Sequence, residues 1–266
     1  MGWPIGHSRS PRLHGYWLKK YGIEGKYEAL AIEPDKLQWA LRELPDQGFR
    51  GVNLTIPHKE AAMTMVDRLG PMAKRIGAVN TVVVDKDGKL EGRNTDAYGF
   101  TQNLLAHGAR VRGKPVTVLG AGGAGRAVIV ALQDMGVETI RLLNRTQERA
   151  EQLRHALGGA IDVMPWDQGA ASVKNSALLV NTTSLGMQGQ PPLDFAFDNL
   201  PLDSAVADLV YAPLTTDLLR RAHQRGHTTI DGLGMLLHQA RPAFQAFFGR
   251  DPEVTEHLRS YVLEGK

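Results

Sequence analysis

The sequence predicts an α/β chain of two domains, the second built on a parallel sheet. Three observations predict it. Strand-like and helix-like segments alternate through most of the chain, which implies a parallel sheet with helices on both faces. A strand–turn–helix unit containing Gly120-Ala121-Gly122-Gly123-Ala124-Gly125 opens the second run of alternation. A length of 266 residues, at about 150 residues per domain, allows between one and two domains.

In the first half, Lys26 to Ile32 reads as a strand. Pro34 to Leu44 reads as a helix with Leu37, Ala40, Leu41 and Leu44 on one face, and Gly51 to Ile56 as a strand. Helical patterns are expected from about His58 to Leu69 and again from Met72. Strands follow at Ala78 to Val84 and Lys89 to Arg93, and Asp87-Gly88 between them signals a hairpin. The hairpin means that this half is not a plain repeat of βα units.

The second alternation begins near residue 97 with a helix to about Ala106. A strand at Val116 to Leu119, the glycine-rich turn and a helix to Met135 come next, with a stop at Gly136. A strand (Thr139 to Leu143), a helix (Gln147 to Leu157) and strands at Ala177 to Val180 and Ala205 to Val210 complete the series. Met235 to Phe248 is the last helical stretch, and the domain boundary is placed near Asp96 to Gly99.

Composition narrows the chemistry. Hydrophobic residues make up 42% and charged residues 22%, as in an ordinary globular protein. The net charge of +3 comes without a basic stripe, so no nucleic-acid partner is expected. Cysteine is absent, which excludes disulfides, zinc–thiolate sites and a cysteine nucleophile together. No apolar run approaches the roughly 18 residues of a membrane helix, and the N-terminus has no signal-peptide pattern. A cytoplasmic protein is expected. His223 and His227 stand four apart but lack the glutamate of a zinc helix motif. Exposed histidines at a helix end are expected there, with no metal.

The glycine turn matches G-x-G-x-x-G in the context that gives the motif meaning. The first glycine permits the tight turn, the second close approach of the backbone to a pyrophosphate, and the third close packing of helix on strand. Free N–H groups and the helix dipole then attract phosphates. After the next strand come Asn144-Arg145-Thr146, with no carboxylate to bind ribose hydroxyls. Arg145, with Arg149 a turn later, suits a 2′-phosphate, which argues for NADP over NAD.

Ser8-Arg9-Ser10-Pro11 precedes an amphipathic stretch. Pro11 suits a first helical turn and Ser10 an N-cap, and two hydroxyls at a positive helix end suit a carboxylate. Asn53-Leu54-Thr55-Ile56-Pro57-His58-Lys59 ends a strand, where open α/β sheets bind ligands. Spacing alone does not lift Lys59, Asn80 or Asn94-Thr95-Asp96 above ordinary polar residues.

Taken in order, these segments resemble the shikimate dehydrogenase family. The matching pieces are Pro4-Ile5-Gly6-His7-Ser8-Arg9-Ser10-Pro11, Asn53 to Lys59, Gly77-Ala78-Val79-Asn80-Thr81, Asn94-Thr95-Asp96, the glycine turn, Asn144-Arg145-Thr146 and Asp231-Gly232-Leu233-Gly234-Met235. The resemblance implies NADP(H)-dependent interconversion of shikimate and 3-dehydroshikimate, on the route to chorismate and the aromatic amino acids. It also implies a substrate-binding domain of residues 1–96 completed by C-terminal helices in 235–266, and a Rossmann-type NADP-binding domain of residues 97–234. By residue, it implies carboxylate contacts from Ser8 and Ser10. Ring-hydroxyl contacts are implied for Thr55, Lys59, Asn80, Asp96, Tyr211 and Gln239, with Lys59 and Asp96 catalytic. Cofactor contacts are implied for Gly120, Ala121, Gly122, Gly123, Ala124, Gly125, Asn144, Arg145, Thr146 and Arg149, with Leu209 and Gly232 at the nicotinamide end. The expected assembly is a monomer or homodimer.

Departures are small. Ala97 replaces a usual glycine, and Gly125 stands where serine is common. The family usually has a first strand before the Pro-Ile-x-His-Ser segment, and this chain starts at Met1, almost inside it. Two other readings stay open: a quinate/shikimate dehydrogenase of broader specificity, often NAD-dependent, and a non-catalytic relative that senses shikimate-type ligands.

Overall fold

The computed structural model describes residues 1–264, and they divide into two compact units. The first comprises Met1–Gly99 together with the chain from Leu236 onward; the second is Phe100–Met235.

The first unit opens with helix α1 (Ser10–Tyr21), a 3₁₀ turn at Pro34–Lys36 and α2 (Leu37–Arg42). Strand β1 (Gly51–Asn53), a 3₁₀ turn at Ala61–Thr64, β2 (Arg68–Leu69), α3 (Pro71–Ile76), β3 (Thr81–Val84) and β4 (Leu90–Arg93) follow. The sheet order is β1-β3-β4-β2. The β1–β3 and β3–β4 pairs are antiparallel and the β2–β4 pair is parallel. Asp85 closes the β3–β4 hairpin by accepting from the N–H groups of Asp87 and Lys89, both at 2.9 Å. Gly88 supplies the positive φ of 74° that the turn requires. Leu37, Leu41 and Leu44 pack on Val52, Val79, Val82 and Leu90, which fixes which face of the sheet is dry.

Helix α4 (Asp96–Ala106) leads into the second unit. There β5 (Val116–Leu119), α5 (Gly123–Asp134), β6 (Ile140–Leu143), α6 (Gln147–Leu157), β7 (Ile161–Met164), the single-turn α7 (Gly169–Ser172), β8 (Leu178–Asn181), β9 (Ala205–Asp208), α8 (Asp217–Gln224) and β10 (Thr228–Ile230) build a parallel sheet. Its order is β10-β9-β8-β5-β6-β7, so strands are added outward on one side of β5 and then on the other, and the strand order reverses between β5 and β8. Ligands of open α/β sheets bind at such a switch point, beyond the carboxyl ends of the strands. β5, β8 and β9 are buried at every position, as a sheet covered on both faces demands.

Helix α9 (Gly232–Phe248) and α10 (Glu256–Glu264) end the described chain. Arg9 donates to the carbonyls of Val262 and Leu263, and Arg12 to that of Tyr261. Two cations on and beside the start of α1 thus satisfy carbonyls in the last turn of α10, where they also favour its dipole.

Several expectations need correction. Lys26 to Ile32 is not a strand. Only Ala31 pairs, in an isolated parallel bridge to Gly2, because the neighbouring segment soon reaches Pro4, which has no N–H. The helix expected at His58 to Leu69 is absent. The N–H groups of Asp67 and Gly70 bond instead to the carbonyls of Leu90 and Gly92, so pairing with β4 overrides the helical pattern. Ser10 is not an N-cap: Arg9 holds that position without a side-chain bond, and Ser10 is the first helical residue. His227 is buried rather than exposed, with its ring 6.1 Å from Phe197. β7 and β10 are edge strands with exposed positions, so neither carried a continuous apolar run.

Candidate functional site

In the first unit, polar side chains from four segments meet. Lys59 follows the turn after β1, and its carbonyl accepts from Val79 N–H at 2.8 Å, which ties it to the start of β3. Its Nζ lies 2.7 Å from Asp96 Oδ2. Both side chains are largely shielded, at 16% and 6% exposure. Asp96 is the first residue of α4, where a carboxylate is favoured by the helix dipole. An ion pair this buried adds little net stability, because desolvating both charges offsets most of their attraction. Its value lies in fixing an ammonium.

Asn80 is the hub behind the pair. Its Nδ2 donates to Asp96 Oδ1 at 2.8 Å and to Thr95 Oγ1 at 2.9 Å. Its Oδ1 accepts from Thr95 N–H and from Thr81 Oγ1, both at 2.9 Å. The Thr95 hydroxyl reaches Gln239 Oε1 at 3.2 Å, and Gln239 Nε2 donates to the Leu236 carbonyl. Asp96 N–H bonds to Asn94 Oδ1, and Asn94 Nδ2 to the Ala78 carbonyl. Both oxygens of Asp96 are therefore engaged, one by Asn80 and one by Lys59. Thr55 lies half-buried between β1 and Lys59, and its carbonyl accepts from His58 N–H. Lys59, Asn80, Asp96 and Gln239 form one cluster.

Ser8 and Ser10 stand at the start of α1. Ser8 Oγ accepts from Ser10 N–H at 3.3 Å, which leaves the Ser8 hydroxyl hydrogen able to donate outward. Ser10 is the first helical residue and is half-buried.

In the second unit, the glycine turn spans the end of β5 and the start of α5. Gly120 has φ of 106°, a conformation L side chains rarely adopt. A Cβ on Gly125 would lie 2.3 Å from the Gly120 carbonyl oxygen, so the helix sits directly on the turn. A Cβ on Gly122 would meet nothing within 4 Å, so the middle glycine faces open space. That combination fits a pyrophosphate lying against the backbone at the N-terminus of α5. Ala121, Gly123 and Ala124 complete this turn. Asn144, after β6, accepts from Ala121 N–H at 3.1 Å and donates to the Thr146 carbonyl at 2.7 Å, which joins the two loops. Arg145, Thr146 and Arg149 are exposed beside it.

Beyond β9, Leu209 and Tyr211 lie half-buried. A Cβ on Gly232 would lie 2.2 Å from the Leu209 carbonyl oxygen, so the loops after β9 and β10 touch. Tyr211 belongs to the second unit and the other proposed ring contacts to the first.

Two groups of residues carried no sequence signal. Tyr27 sits in the run whose alternation suggests a strand that does not form. Asp208, at the end of β9, accepts from Asn181 Nδ2 (2.9 Å), Val210 N–H (3.0 Å) and Thr216 Oγ1 (2.7 Å). Burial pushes its carboxyl up to about 6, against the opposing effect of those bonds. Among the described residues no group of three or more His, Asp or Glu could hold a metal ion, and no helix is long and apolar enough to cross a membrane.

Family models match along most of the chain: the shikimate dehydrogenase substrate binding domain over residues 1–82, shikimate / quinate 5-dehydrogenase over 104–186, and the shikimate 5'-dehydrogenase C-terminal domain over 232–256. A shikimate dehydrogenase (NADP(+)) of Paramagnetospirillum magneticum is 56% identical over 266 residues, covering 99% of this chain and 96% of that relative. The shikimate 5-dehydrogenase of Thermus thermophilus, solved with NADP(H) and shikimate, is 40% identical, with a TM-score of 0.87 over 98% of this chain and 96% of that one. A quinate dehydrogenase from Corynebacterium glutamicum in complex with NAD is 32% identical, with a TM-score of 0.89 over 98% and 96%.

Proposed function

The chain belongs to the shikimate dehydrogenase family, and on that footing we propose that it catalyses the reversible, NADP-dependent oxidation of shikimate to 3-dehydroshikimate. In the biosynthetic direction the ketone is reduced, on the route to chorismate and the aromatic amino acids. Residues 1–96 and 235–266 serve as the substrate-binding domain and residues 97–234 as the NADP-binding domain. A chain free of cysteine suits the reducing cytoplasm.

The observation that carries the reading is the shielded Lys59–Asp96 pair, locked from behind by Asn80. NADPH, when bound, supplies the hydride. Reduction of the ketone leaves an alkoxide that needs a proton. The Lys59 ammonium stabilises that developing charge and donates the proton. Asp96 holds the ammonium in place and accepts a hydrogen bond from a ring hydroxyl, which orients the ring. Asn80 serves the ring by setting Asp96 and Thr95 beside it, while Gln239 offers an amide group, and Thr55 and Tyr211 hydroxyls, to the remaining ring hydroxyls. Ser8 and Ser10 donate to the carboxylate from the positive end of α1.

For the cofactor, Gly120 to Gly125 would hold the pyrophosphate. Asn144, Arg145, Thr146 and Arg149 would surround the adenosine 2′-phosphate, and Leu209 and Gly232 would flank the nicotinamide. Arg145 and the lack of a carboxylate at the end of β6 favour NADP over NAD. The test is a spectrophotometric assay of purified protein with shikimate or quinate, each with NADP or NAD. Efficient turnover of shikimate with NADP, and weaker turnover in the other three, is expected. Quinate preferred to shikimate, equal use of NAD, or no turnover at all overturns the proposal.

A further inference from the structure

We propose that the Asp208 carboxylate favours the oxidised nicotinamide over the reduced one, a role that rests on Leu209 and Gly232 flanking that ring. NADP⁺ and NADPH share their phosphates and differ by one positive charge on the ring. A fixed anion nearby therefore tells them apart.

Asp208 ends β9 and is buried, and Leu209 follows it. Three groups hold its carboxylate, and each of them donates. Val210 N–H reaches Oδ1 at 3.0 Å and closes a turn around Leu209. The Thr216 oxygen accepts from Leu219 N–H at 3.3 Å, so its own hydrogen goes to Asp208 Oδ2. Asn181 Oδ1 accepts from the N–H and the hydroxyl of Thr183, so its Nδ2 is turned to Asp208. Three donors suit the anion, because a protonated acid would need an acceptor for its hydrogen. Among the described residues no cation pairs with Asp208; burial raises its pKa to about 6 and the hydrogen bonds oppose that. The charge is costly to bury with no opposite charge to offset it, and a neutral amide of the same shape would avoid the cost.

Its place gives the charge a use. A Cβ on Gly232 would lie 2.2 Å from the Leu209 carbonyl oxygen and 2.9 Å from that of Val210. Asp208 thus anchors, through Val210 N–H, the backbone on which Gly232 rests. In buried surroundings a charge acts over several ångströms, and salt screens it little. Asp231 is also beside Gly232, but it accepts from the N–H groups of Leu233 and Gly234 at the start of α9, whose positive end offsets its charge. During reduction the ring gains positive charge as the hydride leaves, so the Asp208 anion stabilises that transition state relative to the NADPH complex.

The test is the Kd of NADP⁺ and of NADPH, measured by calorimetry at about pH 8, where the carboxyl is ionised. Asp208→Asn keeps the shape: its oxygen accepts from Asn181 and Val210, and its amide donates to the Thr216 oxygen. The Kd for NADP⁺ should rise about three- to tenfold relative to that for NADPH. Thr216→Val removes one hydrogen bond and keeps the charge, so the ratio of the two constants should stay at the parent value. If Asp208→Asn does not fold, Asp208→Ser reads the same ratio. An unchanged ratio in the neutral variant overturns the inference. A ratio that shifts as far in Thr216→Val means that Asp208 only shapes the loop, and also overturns it. A parent protein that binds neither form strikes the cofactor reading and the inference with it.

Discussion

Asn80 Nδ2 lies 2.8 Å from Asp96 Oδ1, the carboxylate oxygen that Lys59 does not take. The acid is held from two sides, so its orientation survives loss of the lysine. Lys59→Ala is expected to fold and to bind NADP normally, with turnover lowered by about 10² or more, the range for a general acid–base group. Asp96→Asn should also slow turnover, since a neutral amide holds an ammonium poorly. The double variant should be little worse than Lys59→Ala, because the two act as a unit. Steady-state kinetics on the three variants decide it: multiplicative losses mean independent roles.

Cofactor choice depends on the loop after β6. Arg145→Ala should raise the KM for NADP about tenfold, since losing a guanidinium–phosphate contact costs on the order of 1.4 kcal/mol or more. Activity with NAD should barely change, because NAD carries no 2′-phosphate. Parallel losses with both cofactors would place Arg145 elsewhere than at that phosphate.

The glycine turn separates packing from binding. Gly125→Ala places a methyl group 2.3 Å from a backbone oxygen that cannot move freely, so thermal unfolding should show a loss of about 1–3 kcal/mol. Gly122→Ala meets open space and an ordinary φ of −92°, so its stability should stay within about 1 kcal/mol of the parent. Its NADP affinity should nevertheless fall about tenfold or more, because the methyl group occupies the space a pyrophosphate needs. Normal NADP titration of Gly122→Ala would remove the turn from the cofactor site.

Asp208 gives a pH dependence. Its carboxyl titrates at about 6 in the folded chain, above the ordinary aspartate value, so the folded state holds the proton more tightly than the unfolded chain. The resulting stability is full below about pH 4 and is lost as pH rises through 6. Asp208→Asn lacks this term. Its stability relative to the parent should therefore improve between about pH 4 and pH 7, by an amount on the order of 3 kcal/mol. Denaturant titrations at both pH values measure it, and a constant difference would mean that Asp208 is ionised at no cost.

Legibility in the sequence followed the range of the interactions. The turn at Gly120 to Gly125 and the segment Asn144-Arg145-Thr146 are local, and both stand out as motifs at strand ends. Lys59 and Asp96 lie 37 residues apart, and no spacing rule joins them; only the ordered set of segments singles them out. Tyr27 was invisible because its partner Asn53 comes from another segment. The helical pattern at His58 to Leu69 misled for the same reason: a partner strand distant in sequence, β4, captured its last residues. Asp208 read as one more polar residue until the fold buried it beside Asn181 and Thr216.

The bonds from Arg9 and Arg12 to the last turn of α10 span 253 and 249 positions of sequence. They belong to a unit whose two parts flank the other in the chain, like a sentence interrupted by a parenthesis. During synthesis, the middle unit has all its strands once Met235 has emerged, and domains generally fold as units while the ribosome still works. The flanking unit must wait with α1 exposed until the final helix arrives. The helix start that carries Ser8 and Ser10 is therefore braced last.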